Sequence, residues 1–578
     1  MNLNTKINFL AFFLLFFSSL IVAQEDSRKP VDLRILVDIS TGIKTSYPEA
    51  RYLDGLQLLI DRLPQGSKAG IWSYGKYVNH LVKHASVTPA WRSYAKQQLN
   101  TVKHVALHRN IVSVVRKASF YNPKVSGYQR VILLLSGGEI NLYSDAVGNQ
   151  LERQKLLNKM LPKLRSAGFI VHTIAMSDKS DQSLLTTLAK ETGGFSFTSV
   201  NVESFFSAVL ALSQWIKPEN YISADDHTVV IDSTVTRFRA QLVGVDEQIK
   251  NEITAPTGAE ISWLKDKYYS LLEIDRPEPG PWKFSPELSS LSRIYVQGSE
   301  DLKLEGLSTT YVVGERARIK LPQAAVVAGQ AVDRVEVSLQ LNGEPITIQR
   351  LSSSEAIEGQ FEGLLPSFNE AGLYRLTLTV TGPDYRRTIE QPVQVYPLLK
   401  IAVSTAQLDD KKRYLLTIIP EDQDLDLYKS SLIATVTDSA GEWTVRTAKL
   451  GKDKHWQLIL DDDSVSTEFR VELDFTGITS SGREINFKPK PVVIELRNPV
   501  IVNITPNILD NDASPTADIP QSIQDRAAGL SKESSSSIGL LVIAVVCSVF
   551  GLALIGFYFR QKITKTAPKN EETEVTTV

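Results

Sequence analysis

The sequence predicts a multidomain chain: an α/β doubly wound domain, then all-β sandwich modules, then one C-terminal transmembrane helix. Three observations carry this. Between Val31 and Ile216 short apolar runs alternate with segments whose apolar residues recur at helical spacing. Beyond Lys217-Pro218 the hydrophobic period drops to two and turn residues recur between the runs. Ile538 to Phe559 carries no charge and is long enough to cross a bilayer.

The first strand is Val31 to Ile39 (VDLRILVDI), a short apolar run that ends on Asp38. Leu53, Leu56, Ile60 and Leu63 then follow at helical spacing until Pro64 stops them. An apolar strand around Ala69 to Tyr74 comes next, with a second apolar stretch at Leu81 and Val82 and a helix at Ile111 to Ala118. Arg130 to Leu135 (RVILLL) is a continuous apolar run of the kind buried on both faces of a parallel sheet, and it leads into Ser136-Gly137-Gly138. A charged helix near Leu151 to Ser166, a strand at Phe169 to Ala175, and helices at Leu184 to Ala189 and Phe205 to Trp215 complete the set. Strand and helix in this alternation give a sheet covered on both faces, whose ligand site lies at the carboxyl edge of the strands.

In the second half Tyr374, Leu376, Leu378 and Val380 alternate with polar residues, as do Phe469, Val471, Leu473 and Phe475. Such alternation marks half-buried strands of antiparallel sandwiches. Turn signals at Pro256-Thr257-Gly258, Pro279-Gly280-Pro281, Asn342-Gly343 and Ser439-Ala440-Gly441 divide the region into three modules, over 225–300, 305–396 and 398–497. By length and alternation the later two resemble immunoglobulin-like or fibronectin-like sandwiches. Residues 501–537 lose periodicity and end in four serines, the composition of a flexible stalk.

The two ends of the 578-residue chain set its expected address. Lys6 precedes an unbroken apolar run that passes through Ala23 into Gln24-Glu25-Asp26, the layout of a secretory signal peptide over 1–23. Arg560, Lys562, Lys565 and Lys569 follow the span 538–559, so the positive-inside rule places the tail 560–578 in the cytoplasm and the bulk of the chain on the far side. The chain is thus expected to be a single-pass type I membrane protein. Its one cysteine, Cys547, lies inside the span, so the exported region has no disulfide. That favours a periplasm, reached from the inner (plasma) membrane of a Gram-negative bacterium, over an animal cell surface. A formal net charge of −2 and the lack of a long basic block exclude a nucleic-acid partner.

Four stretches of the α/β segment carry a resemblance. Asp38-Ile39-Ser40-Thr41-Gly42 resembles Asp-x-Ser-x-Ser, and Leu107-His108-Arg109-Asn110-Ile111 resembles a Gly-Gly-Thr-Asn-Ile loop. Leu134-Leu135-Ser136-Gly137-Gly138-Glu139 is similar to Leu-Leu-Thr-Asp-Gly-Glu, and Glu191-Thr192-Gly193-Gly194-Phe195 to a closing Thr-Gly-Gly-aromatic. In this order, over 31–216, they resemble the von Willebrand factor A (VWA) family, with its Rossmann-like fold. In that family the first three loops build a metal-ion-dependent adhesion site, where a hard divalent cation bound by a carboxylate, hydroxyls and waters takes an acidic side chain of the partner as its last ligand.

This sequence keeps Asp38 and Ser40 of that ligand set but has Gly42, Arg109 and Gly137 at the other three positions. The expected site is degenerate, with the permanently charged Arg109 replacing the ion and pairing with Asp38. No cofactor is then expected. The alternative is weak magnesium or calcium binding through Asp38, Ser40 and waters, supported by Glu139. The first sandwich, with Pro277-Glu278-Pro279-Gly280-Pro281-Trp282, also resembles the β domain that follows VWA domains in exported proteins, and Trp282 is sized to anchor its core.

Other constellations are read as structural. His80 and His84 lie in a strand, where residues four apart are about 13 Å distant, and His104 and His108 lie in a loop without a third ligand. The acidic runs 421–426 and 461–463 lack the glycine and terminal glutamate of a calcium loop and read as solvated turns. No nucleophile elbow, P-loop or dinucleotide loop occurs. The expected function is therefore a membrane-anchored, non-enzymatic interaction scaffold of the bacterial envelope that binds a protein partner through the VWA domain. The alternatives are a metal-dependent adhesion or ligand receptor, and an accessory subunit of a membrane transport or channel assembly.

Overall fold

The computed structural model describes residues 29–120, 127–222, 227–244, 250–264, 268–285, 288–298, 302–322, 332–341, 343–353, 360–382, 385–408, 411–422, 424–461, 466–480 and 482–496. The expected signal peptide, stalk, membrane span and tail lie outside them. Among the described residues no helix is long and apolar enough to cross a membrane.

The α/β domain is built on six strands, β1 (Val31–Asp38), β2 (Lys68–Tyr74), β3 (Val78–Ser86), β4 (Gln129–Ser136), β5 (Phe169–Ala175) and β6 (Ser196–Thr198). They lie in the order β3-β2-β1-β4-β5-β6, all parallel but for β3, which returns as a hairpin on β2. This is the doubly wound order, in which the chain switches direction between β1 and β4 and opens a crevice at their carboxyl ends. The helices are α1 (Ile43–Ser46), α2 (Tyr52–Arg62), α3 (Pro89–Leu99), α4 (Ile111–Ala118), α5 (Ala146–Lys155), α6 (Leu161–Ser166), α7 (Gln182–Lys190) and α8 (Val202–Ile216).

Strand β1 is buried along its whole length, and its alternation sorts side chains to two cores. Leu33, Ile35 and Val37 face Leu56 and Leu59 of α2 and Phe205 and Val209 of α8. Leu36 faces the other layer, with Val114 and Val115 of α4 and Leu185 and Leu188 of α7. Gly55 lets α2 and α8 touch, since a Cβ there would lie 2.7 Å from Phe205 Cδ1. Helix α3 adds to the elements read from sequence. Thr88 caps it by accepting the Trp91 amide, Pro89 occupies its first turn, and Trp91, Ala95 and Leu99 are its buried face.

The β region begins with β7 (Asn220–Ile222), β8 (Thr228–Ile231), β9 (Val235–Val243), β10 (Lys250–Thr254), β11 (Glu260–Leu264), β12 (Tyr269–Asp275), β13 (Gly280–Ser285) and β14 (Arg293–Gly298). Sheet β11-β10-β13-β8 covers β12-β9-β14-β7, and Trp282 is buried between them against Phe238. Next come β15 (Thr310–Val312), β16 (Arg316–Leu321), β17 (Arg334–Leu341), β18 (Glu344–Arg350), β19 (Ser352–Ser353), β20 (Phe361–Ser367), β21 (Gly372–Thr381) and β22 (Arg386–Tyr396). The last group is β23 (Leu399–Leu408), β24 (Lys411–Pro420), β25 (Ser431–Asp438), β26 (Trp443–Thr447), β27 (Lys449–Leu450), β28 (Trp456–Asp461), β29 (Glu468–Ile478), β30 (Glu484–Phe487) and β31 (Val492–Glu495). It forms sheets β23-β24-β28-β27 and β26-β25-β29-β30, with β31 also on β29.

The first two modules are not separate sheets. The three-residue β7 pairs with β14 on one side and β22 on the other, so one sheet runs β12-β9-β14-β7-β22-β21-β17-β18. Arg387, buried on β22, reaches back to Asp232 and donates to Thr234 Oγ1 at 2.7 Å. The α/β domain is tied to this region by Arg62, which donates to Gln241 and Glu219, each at 2.7 Å. Tyr396 donates to the Gly194 carbonyl at 2.8 Å and Lys190 to the Glu421 carbonyl at 2.6 Å.

His172, on β5, is sealed among Phe195 and Trp215 and accepts the Phe195 amide at Nδ1, while its buried Nε2 has no hydrogen-bond partner. Burial holds its pKa down to about 3 from an ordinary 6.5. Between these values the unfolded chain binds more protons than the folded one, so stability present above pH 6.5 is lost as pH falls toward 3. One such group contributes up to about 1.4 kcal/mol per pH unit. Denaturant unfolding at pH 7.5 and at pH 5 is expected to show the loss, and His172→Gln, which keeps a neutral acceptor, to shrink it.

Candidate functional site

The loops that leave β1 and β4 meet at the switch point, and Asp38 lies between them with no solvent exposure. Its Oδ1 accepts the Ser40 amide at 2.8 Å and its Oδ2 the Gly137 amide at 2.8 Å, so both loops are folded around one carboxylate. The third loop arrives by main-chain pairing. Ala106 bridges to Ser40, with Thr41 N donating to Ala106 O at 3.0 Å, and Arg109 bridges to Asn141, with its amide donating to Asn141 O at 3.0 Å. Asn110 then caps α4 by accepting the Ser113 amide.

This framework aims Arg109 inward. Its Nε donates to Ser40 Oγ at 2.8 Å and lies 3.3 Å from Asp38 Oδ2, with the side chain only 14% exposed. The guanidinium rests against backbone that has no side chain in the way. A Cβ at Gly42 would stand 2.4 Å from Arg109 Nη2, and one at Gly138 would stand 2.6 Å from its Cζ. A Cβ at Gly137 would instead meet Ile43 Cγ1 at 2.4 Å. Gly42, Gly137 and Gly138 are thus where the arginine and its neighbours need room.

Burial pushes the Asp38 carboxyl up from its ordinary value, and the Gly137 amide, the Arg109 charge and the Ser40 hydroxyl and amide pull it back. Burial, with the field of Asp38 added to it, also holds the Tyr52 and Tyr74 hydroxyls well above their ordinary range. Both remain protonated donors or acceptors: Tyr74 donates to the Leu135 carbonyl at 2.7 Å, and Tyr52 shares a 2.8 Å bond with His104 Nε2.

All five positions singled out in sequence, Asp38, Ser40, Gly42, Arg109 and Gly137, converge at this crevice. Glu139 does not join them and is exposed. The histidines are not brought together: His80 stacks on Trp72 at 4.5 Å, His84 bonds Asp32 at 2.7 Å, and His104 serves Tyr52. Asp422 and Asp426 accept amides of their own turns, and Asp461 pairs with Arg413 at 2.8 Å. Among the described residues no group of three or more His, Cys, Asp or Glu is arranged to hold a metal ion.

Around the crevice stands an apolar rim that sequence reading missed. Tyr77 after β2, Val105 and Leu107 before α4, and Tyr143 after β4 are all exposed, Leu107 by 72%. Val147 and Leu151, four apart on α5, are also exposed, and that helix buries none of its residues. Periodicity gives no sign of these residues, because apolar side chains in loops belong to no repeating face.

No family model matches the sequence, and no curated protein matches it. Solved structures are similar at low scores. A von Willebrand factor type A protein from Catenulispora acidiphila is 10% identical, over 64% of this chain and 67% of that one, with a TM-score of 0.28. A proximal thread matrix protein from the mussel byssus is 15% identical, over 34% of this chain and 50% of that one, at 0.27. This chain therefore spans half the length of the mussel protein. An aerotolerance-related membrane protein from Bacteroides fragilis is 19% identical, over 32% of this chain and 98% of that one, at 0.24.

The contact between Gly42 and Arg109 generates a coupling test. Gly42→Ser is expected to push the guanidinium off Asp38 and cost roughly 1–3 kcal/mol, as overpacking does. In an Arg109→Thr background the same substitution has room, so the two costs are expected not to add. Urea denaturation of the four chains of the cycle measures the coupling, and strict additivity would contradict the packing described.

Proposed function

We propose that this chain is a membrane-anchored, non-enzymatic scaffold of the bacterial cell envelope that recognises a protein partner through the carboxyl edge of its VWA-like domain, without a metal ion. The observation that carries the reading is the Arg109 guanidinium, paired with Asp38 and Ser40 and packed over Gly42 and Gly138. It supplies positive charge at the carboxylate around which a metal-ion-dependent adhesion site would be built. A guanidinium offers fixed N–H donors and no exchangeable coordination position, so recognition falls to the surface around it. Tyr77, Val105, Leu107 and Tyr143 provide that surface, and tyrosines are among the residues that most often anchor protein interfaces.

The inner-membrane, type I placement rests on the sequence at the two ends of the chain, and the non-enzymatic reading on the lack of a nucleophile, base and acid set among its motifs. The sandwich modules would then act as spacers that carry the recognition edge in a fixed relation to themselves. The ties from Arg62, Lys190 and Tyr396 support such a rigid presentation.

Two measurements test the reading. Calorimetry of the full chain in mild detergent with magnesium, manganese or calcium chloride is expected to give no micromolar binding. Such binding, abolished by Asp38→Ala, would overturn the ion-free site and favour a metal-dependent receptor. Crosslinking in intact cells followed by pull-down is expected to enrich one envelope protein, and Leu107→Asp to weaken that capture by roughly 2 kcal/mol or more. Enrichment indifferent to Leu107→Asp and to loss of 31–216 would move the partner site off this domain.

A further inference from the structure

The last sandwich ends on an open edge. Among the described residues strand β26 (Trp443–Thr447) pairs with β25 on one side only, and every residue in it is exposed. On the outer face Trp443 is 67% and Val445 57% exposed, beside Ile433 at 44%. Native edge strands are ordinarily blunted by charges, prolines or bulges. The opposite case is seen at β18, where Ile346 and Ile348 are also exposed but Pro345 and a register break interrupt the strand and Arg350 is committed to Glu336. In β26 the ladder is regular.

The hydrogen-bond phase of this ladder is fixed at both ends. The Asp438 amide donates to the Glu442 carbonyl and the Ala448 amide to the Leu432 carbonyl, both at 2.9 Å. Because bonded and non-bonded positions alternate along an antiparallel pair, residues 442, 444, 446 and 448 face β25. The amides and carbonyls of Trp443, Val445 and Thr447 therefore point to the open side.

The sequence of the edge, Glu442-Trp443-Thr444-Val445-Arg446, is complementary to itself when reversed. We propose that β26 pairs antiparallel with β26 of a second copy of this chain, with Thr444 opposite Thr444, Trp443 opposite Val445 and Glu442 opposite Arg446. In this register Trp443 and Val445, whose backbone groups are open, form the two hydrogen-bonded pairs, as the ladder phase requires. It also sets an aromatic against a β-branched residue twice, threonine against threonine once, and acid against base twice, each a favourable cross-strand pair. Among the described residues Arg446 donates only to the Ile459 carbonyl, at 2.9 Å, and neither it nor Glu442 makes an ion pair. Both charges are thus available for the second copy.

Charge selects this register over its neighbours. A slip that puts Val445 opposite itself sets Arg446 against Thr444, and the slip that puts Trp443 opposite itself sets Glu442 against Thr444. Both ion pairs vanish in either case. The contact is short, well under the roughly 1,200 Å² of a standard stable interface, so the dimer is weak and reversible and its ion pairs weigh heavily in it.

The test uses the full chain in mild detergent, with Cys547→Ser so that any added cysteine is the only one. Thr444→Cys occupies a non-bonded pair, whose Cα atoms lie about 4.5 Å apart, within disulfide range. Mild oxidation is expected to yield a disulfide-linked dimer, about ten-fold more than with Thr447→Cys on the same strand, a ratio equal to roughly 1.4 kcal/mol. Adding Glu442→Arg or Arg446→Glu to Thr444→Cys is expected to suppress the dimer, and the exchange of both charges, or mixing the two single variants, to restore it. All these positions are exposed, and unchanged thermal melting checks the fold. Equal linking at Thr444 and Thr447, linking best at Val445→Cys, or a yield indifferent to the charge exchange would each overturn the pairing.

Discussion

A carboxylate without access to water, at the end of the central strand, is the constraint on which the crevice of the α/β domain depends. Asp38 has zero exposure. An isolated charge in such a place costs several kcal/mol, so its neighbours must be hydrogen-bond donors or cations. The chain supplies two amides, from Ser40 and Gly137, and one guanidinium, from Arg109. Each donor belongs to a different loop. Satisfying one side chain therefore ties together three connections, the loops after β1 and β4 and before α4.

Charge compensation by arginine has a steric consequence. A cation of atomic size leaves room for ligand side chains around it, whereas a planar guanidinium fills the same space itself. The near contacts of Gly42 and Gly138 with Arg109 express this. Removing the arginine would leave Asp38 buried with two amides, and placing a side chain at Gly42 would evict the arginine.

Strands β1, β2, β4 and β5 were legible in sequence because burial on both faces makes them apolar runs, as in RVILLL at 130–135. The five crevice positions were legible through the resemblance of three loop motifs, two of which directly follow strands β1 and β4. Helix α3 was missed although Thr88-Pro89 is a helix-start signal, because only Trp91, Ala95 and Leu99 of its residues are buried and the polar remainder hides the period. The continuous sheet across the first two modules was not legible at all. It depends on β7, three residues whose pairing with β14 and β22 is entirely non-local and leaves no local pattern. The rim of Tyr77, Leu107 and Tyr143 escaped for a similar reason: exposure in loops is a property of the folded surface.

The same non-local strand explains how a domain built on one charge is held at a defined angle to the rest. β7 follows directly on α8, the longest helix of the α/β domain, with Lys217 to Glu219 between them. Whatever orientation α8 has is therefore passed into a sheet that runs through both following modules. Glu219, in that connection, pairs with Arg62 at 2.7 Å and with Arg239 of β9, and these two cations with Lys217 hold its carboxyl below the ordinary range despite burial. A connection of three residues anchored by a partly buried ion cluster leaves little freedom for a hinge, since bending it would strip charge partners from a carboxylate that is only 18% exposed. Rigidity at this joint thus comes from the same physics as order at the crevice. In both places a buried carboxylate collects donors from separate elements, and the elements cannot move apart without exposing the cost of leaving it alone.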